Sequence, residues 1–134
     1  MATRNLRISV VLWLAYWVFL FVLTHVPTPP RIPTIRHGDK ILHLLAFFAL
    51  ALLGGRSGAY PLTRPVLLGW AVVYAIYAAA DEVLQPFTGR SMNLADWLAD
   101  VLGVFLATAI LLVNRPVADS PENTAATPHS GENM

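Results

Sequence analysis

The sequence has no cysteine in 134 residues. That excludes a disulfide framework, a thiol nucleophile and a thiolate metal site. Charge is scarce as well. Asp, Glu, Lys and Arg make up 13% of the chain, about half of the ~25% usual in soluble domains. A net charge of +1 supplies too few spare cations for a nucleic-acid binder, which must neutralise many phosphates. No period-two alternation marks strands or a barrel, and no fixed repeat appears beyond the helical runs themselves. There is no H-E-x-x-H motif for zinc, and Ser91 lacks a G-x-S-x-G elbow that would make it a nucleophile. In excess are apolar residues, 56% of the chain, with a mean hydropathy of +0.57. One domain of this length cannot bury such a surplus in its own core, so the surplus faces lipid.

Four apolar runs, Ile8–Val26, Lys40–Gly54, Val66–Leu84 and Leu94–Val113, occupy more than half of the chain. Crossing a bilayer core of about 30 Å takes about 20 apolar residues in a helix. The first, third and fourth runs meet that length. The second is short, and Lys40 and Arg56 at its ends are expected to snorkel to the headgroups. Every one of the ten prolines lies outside or at the margin of a run, as helix interiors require. The predicted fold is therefore all-α: an integral membrane four-helix bundle over residues 1–114, with helices at about 8–26, 40–54, 66–84 and 94–113. Four prolines stiffen the connection Pro27–Asp39. Residues 115–134, polar and rich in Ser, Pro, Asn and Thr, are expected to form a disordered tail. The first run exceeds a signal peptide's apolar region and ends in Thr-His-Val-Pro, so it is read as a retained helix.

With Arg4 and Arg7 in the cytoplasm, both chain ends lie inside. Five cations (Arg4, Arg7, Arg56, Arg64, Arg115) then fall inside and four (Arg31, Arg36, Lys40, Arg90) outside. The acids are more informative. Outside the tail, all five (Asp39, Asp81, Glu82, Asp96, Asp100) fall at the start of helix 2, the end of helix 3 or the start of helix 4. Chain parity puts those three ends on one membrane face, whichever way the bundle points.

Helical spacing then aims the side chains. Ala71, Ala75, Ala78, Glu82 and Gln85 form one seam on helix 3, and Asp96, Asp100, Gly103 and Ala107 form another on helix 4. Asp39, His43, Ala46 and Leu50 do the same on helix 2. Small residues deep in the seams allow close helix approach, and ionisable groups sit at the outer ends. Asp81, about 100° from Glu82, is predicted to face a different neighbour. An unpaired charge at mid-bilayer costs about 2.5–3.5 kcal/mol, so the acids need partners. Lys40, Arg90, Arg31 and Arg36 are candidates, with His37 and His43 adjustable. The expectation is an outward-opening polar pocket ringed by Lys40, His43, Glu82, Arg90, Asp96 and Asp100. Asp39 and His43 have i, i+4 spacing and can ligate a metal together with Asp96 or Asp100. Lys40 beside them opposes a cation, so no metal and no cofactor is expected. Trp13, Tyr16 and Trp17 read as packing or lipid-facing residues, and Tyr77, Phe87 and Trp97 as an interface belt. His25, His37 and His129 read as loop or terminal residues.

Three blocks, Asp39-Lys40-x-x-His43, Asp81-Glu82-x-x-Gln85-x-Phe87-x-x-Arg90-Ser91 and Asp96-x-x-x-Asp100-x-x-Gly103, resemble in order the signature blocks of the VanZ-like family of small multi-pass bacterial membrane proteins. Many members carry Asn at the Asp100 position, so this pocket holds an additional acid. The resemblance implies a cell-envelope setting in the inner membrane and a link to tolerance of the glycopeptide teicoplanin, with no established reaction. Combined with the pocket, it leads to a membrane protein binding an anionic or lipid-linked envelope ligand, with membrane lipids as its surroundings. Arg90 and Lys40 hold the anion, Glu82 and Asp96 orient them, and His43 exchanges a proton. Alternatives left open are a membrane enzyme acting on a lipid-linked phosphate with His43 or Glu82 as base, a proton-coupled transporter formed by a homo-oligomer, and a salt-bridge lock with no ligand.

Overall fold

A computed structural model describes residues 2–27 and 38–114. The expectations for most of the Pro27–Asp39 connection and for the 115–134 tail, including Arg31, Arg36, His37, Arg115 and His129, fall outside the described residues. Four helices, α1 (Ala2–His25), α2 (Gly38–Arg56), α3 (Arg64–Leu84) and α4 (Leu94–Asn114), form an all-α bundle. A single 3₁₀ turn, Gln85–Thr88, extends α3. All four helices are long and apolar enough to cross a membrane, and the chain is a multi-pass membrane protein. The second run is not short after all: α2 covers 19 residues because Gly38, Asp39, Gly55 and Arg56 continue the helix beyond its apolar stretch. Lys40 does not snorkel outward. It turns across to α4 and pairs with Asp96 at 2.7 Å.

Local chemistry fixes the helix ends. Pro65 occupies the first turn of α3, where a missing N–H costs nothing. Pro86 cannot donate to the ladder, so the last turn tightens into the 3₁₀ segment and stops at Gly89 with φ 79°. Asn93 starts α4: its side-chain oxygen accepts from Ala95 N at 3.0 Å, and its carbonyl accepts from Asp96 N at 3.0 Å. After α2, Ser57 Oγ donates to Gly54 O at 2.6 Å, and Gly58 takes φ 74° to reverse the chain.

Helices α2 and α4 form the most extensive pair. At their crossing Gly103 lies against the backbone of α2, and a Cβ there would run into Leu44 O and stand 2.9 Å from Phe48 N. In lipid there is no water to expel from between helices, so such backbone proximity and the van der Waals contact it permits hold them together. Phe47, Leu50, Tyr74, Ala78, Val104 and Ala107 are buried around this crossing. Toward the other end, Tyr60 stacks on Trp70 at 4.7 Å, and Trp13 and Trp17 pack on the same group. Burial among these rings holds the Tyr60 hydroxyl above the ordinary phenol value. Outside, Val18, Leu42, Ile76, Leu102 and Phe105 are exposed, as a lipid-facing surface requires.

Gly103→Val is expected to cost about 1–3 kcal/mol, the usual penalty for overpacking a filled contact, read as a lower thermal unfolding midpoint in detergent micelles. Gly69, on α3, has nothing within 4 Å of a new Cβ. There Gly69→Ala should be neutral or raise stability by up to about 1 kcal/mol through helix propensity.

Candidate functional site

One end of the bundle gathers the ends of all four helices. Thr24 and His25 close α1, Asp39, Lys40 and His43 open α2, Asp81, Glu82 and Gln85 close α3, and Asp96 and Asp100 open α4. His43, Asp81, Glu82, Gln85, Asp96 and Asp100 are buried. In a low-dielectric interior each needs a partner.

The partners sort into four small networks. Asp100, 0% exposed, shares a hydrogen bond with His43 through Oδ1 and Nδ1 at 3.0 Å. Its Oδ2 is buried and has no partner among the described residues. Asp81 faces α1: Thr24 Oγ1 donates to its Oδ1 at 2.8 Å, and His25 Nδ1 lies 3.6 Å from the same oxygen. The Thr24 hydroxyl also lies 3.1 Å from Leu20 O and 3.0 Å from Phe21 O. It has one proton, and the shorter, charge-assisted contact takes it. Glu82 is clamped on both oxygens, with Gln85 Nε2 donating to Oε1 at 3.0 Å and Asn93 N donating to Oε2 at 2.9 Å. Lys40 Nζ donates to Asp96 at 2.7 Å and to Asp39 at 3.2 Å. Between these networks, one ligand atom each from His43, Glu82 and Asp96 lie within 4.8 Å of one another.

Beside them a cavity of about 340 Å³ runs between α1 and α2. Leu20, Leu23, Leu42, Ala46 and Phe47 make most of its wall, with His43, Thr24, Asp39 and Arg90 at its polar end. Arg90 follows Gly89, and its N–H donates to Gln85 O at 3.2 Å, which fixes the start of this side chain. Arg90 is half-buried, and its guanidinium makes no ion pair among the described residues.

Several expectations need correction. Asp39 does not enter a seam. Its side chain is 56% exposed, because the first turn of α2 projects beyond the crossing with α4. The three side chains with metal-ligand proximity are accordingly His43, Glu82 and Asp96, not a set built on Asp39. Glu82 does not orient Arg90; Gln85 and the Asn93 backbone satisfy it instead. Tyr77 and Trp97 are not an interface belt: Tyr77 packs on Trp17 and Phe47, and Trp97 Nε1 donates to Ala75 O at 3.3 Å. Phe87 alone of the three is widely exposed, at 85%. Thr24 and Asn93 are site neighbours that the sequence reading omitted, and His25, expected in a loop, is instead the last residue of α1 and stands beside Asp81. The same chain parity that grouped the acids also places the end of α1 on their face, so Thr24 and His25 were within its reach. Asn93 acts through its main-chain N–H, which no residue-type motif records.

Asp100→Ala leaves His43 buried and unpaired, and a loss of about 3–5 kcal/mol is expected in equilibrium unfolding in micelles. The double variant His43→Leu/Asp100→Leu should recover most of that loss, since apolar replacement of both partners of a buried pair is often neutral. Asp39→Asn, at an exposed pair, should change stability little.

Comparison with known proteins gives no match among family models, curated proteins or solved structures.

Proposed function

We propose that the chain is a VanZ-like protein of the bacterial inner membrane whose α1–α2 cavity binds an anionic, lipid-linked ligand of the cell envelope. The composition of the cavity wall carries this reading. Its apolar length, lined by Leu20, Leu42 and Phe47, ends at Arg90 and His43. An amphiphile with an acyl chain and a phosphate or carboxylate head has the same order of parts. The guanidinium fork of Arg90 matches such a head bidentately. Among the described residues it has no ion pair that would have to break first. Lys40, engaged with Asp96 and Asp39, acts as a structural cation in this reading rather than as an anion holder. The three motif blocks support the envelope setting, and its link with teicoplanin tolerance rests on them alone. Five cations (Arg4, Arg7, Arg56, Arg64 and Arg115) against four (Arg31, Arg36, Lys40 and Arg90) favour cytoplasmic chain ends, which turns the polar end outward.

A second reading, turnover of a lipid-linked phosphate, has one observation in its favour. His43 borders the cavity with its Nδ1 held by a buried carboxylate, the arrangement that orients a general base.

Native mass spectrometry of protein taken from mixed phosphatidylglycerol and phosphatidylcholine vesicles tests the leading reading. Wild type should retain phosphatidylglycerol selectively. Arg90→Gln should weaken that retention about tenfold or more, matching a lost charge-assisted hydrogen bond of about 1.5–3 kcal/mol, without changing the unfolding midpoint. Equal retention of both lipids, or no effect of Arg90→Gln, rules the reading out. Phosphate released from a lipid-linked phosphate by purified wild type, and lost in His43→Ala, would shift the assignment to the enzyme. Reporter fusions after Gly58 and Asn114 are expected to report cytoplasm, and a fusion after Thr88 periplasm.

A further inference from the structure

Where α2, α3 and α4 meet, His43, Glu82 and Asp96 present ligand atoms within 4.8 Å of one another. One imidazole and two carboxylates form a donor set that zinc and neighbouring divalent transition metals accept. Each donor is already aimed. Glu82 is held by Gln85 Nε2 and Asn93 N, and a second lone pair remains on each oxygen. Asp96 gives one oxygen to Lys40 and keeps the other without a hydrogen bond among the described residues.

Two independent features point to a cation. First, Asp100 stands behind His43 and holds its Nδ1 at 3.0 Å. A carboxylate behind a ligating histidine fixes the tautomer and leaves Nε2 for the metal, an arrangement most metal-bound histidines share. Asp100 is wholly buried, and its second oxygen has no partner among the described residues. Second, the local charge is unbalanced. Asp81, Glu82, Asp96 and Asp100 are all buried at this end; Lys40 pairs with Asp96 and the imidazoles of His25 and His43 face Asp81 and Asp100, which leaves Glu82 with no cationic partner among the described residues. A divalent ion supplies the positive charge that such a cluster otherwise lacks. Lys40 approaches Asp96 on Oδ1, so its ammonium neutralises one of these carboxylates.

We propose that His43, Glu82 and Asp96 bind one divalent transition-metal ion of the zinc class, with Asp100 as the residue that positions His43. Three protein ligands leave a fourth tetrahedral position open, and one of the three, His43, also borders the cavity. The inference stands without the lipid reading.

The test uses the full chain, purified without a histidine tag, stripped with a chelator and titrated with Zn²⁺ alone. Retained zinc is counted by mass spectrometry after gel filtration. Wild type should keep about one zinc per chain, and X-ray absorption should show only nitrogen and oxygen ligands at about 2.0–2.1 Å. His43→Ala and Glu82→Gln should each lower zinc affinity at least about tenfold, and Asp100→Asn about 10–100-fold as an orienting residue does. His25→Gln, at the Asp81 network, should leave the count unchanged. Wild type retaining less than about a tenth of an ion per chain, or undiminished zinc in His43→Ala and Glu82→Gln, overturns the proposal. If those variants do not accumulate, the wild-type count and spectrum decide. Substoichiometric zinc, or a spectrum without imidazole scattering, then overturns it.

Discussion

Everything at the polar end follows from the cost of a carboxylate inside lipid. Water cannot reach Asp81 or Asp100 to solvate them, so the protein must supply donors or cations at hydrogen-bond distance. It does so from three helices: Thr24 from α1, His43 and Lys40 from α2, and Gln85 from the end of α3. Each contact crosses between elements or fixes a helix end. The acids therefore determine how the four helices stand relative to one another at that level. Two of the groups that hold the helices, Thr24 and His43, also line the cavity.

The middle of the bundle makes that end possible. Gly103 brings α4 against the backbone of α2, and one turn earlier on the same face Asp100 reaches His43. A larger residue at the crossing would separate the helices, and a hydrogen bond of 3.0 Å would open with it. Small residues in the seam and charged residues at its mouth are thus parts of one device: close approach in the apolar region sets the distances in the polar one. The α1 helix contributes differently. It covers Asp81 through Thr24 and His25 but leaves a cavity against α2.

Arg90 and Lys40 show how one charge type takes two roles. Lys40 stands on a helix facing Asp96 and is consumed by it. Arg90 follows a left-handed glycine outside the helices, and it meets no carboxylate of its own among the described residues. A cation held in an ion pair and one without such a pair among the described residues differ by backbone placement, not by residue type.

The sequence by itself determined the number of the helices and the apolar stretch of each, since apolar length and proline placement depend only on local composition and on bilayer thickness. It also determined that the acids share one end, which is a matter of chain parity, and which faces of α3 and α4 turn inward, which is a matter of helical period. Tertiary structure alone decided who meets whom. The register of α2 against α4 gave His43 to Asp100 and left Asp39 outside. The position of α1 gave Asp81 to Thr24, and the turn after Gly89 set Arg90 on the cavity wall rather than beside Glu82. Such pairings depend on helix rotation, crossing and depth, which a residue's position in its own helix does not encode. Main-chain donors such as Asn93 N are further removed still, because every residue but proline carries the same one.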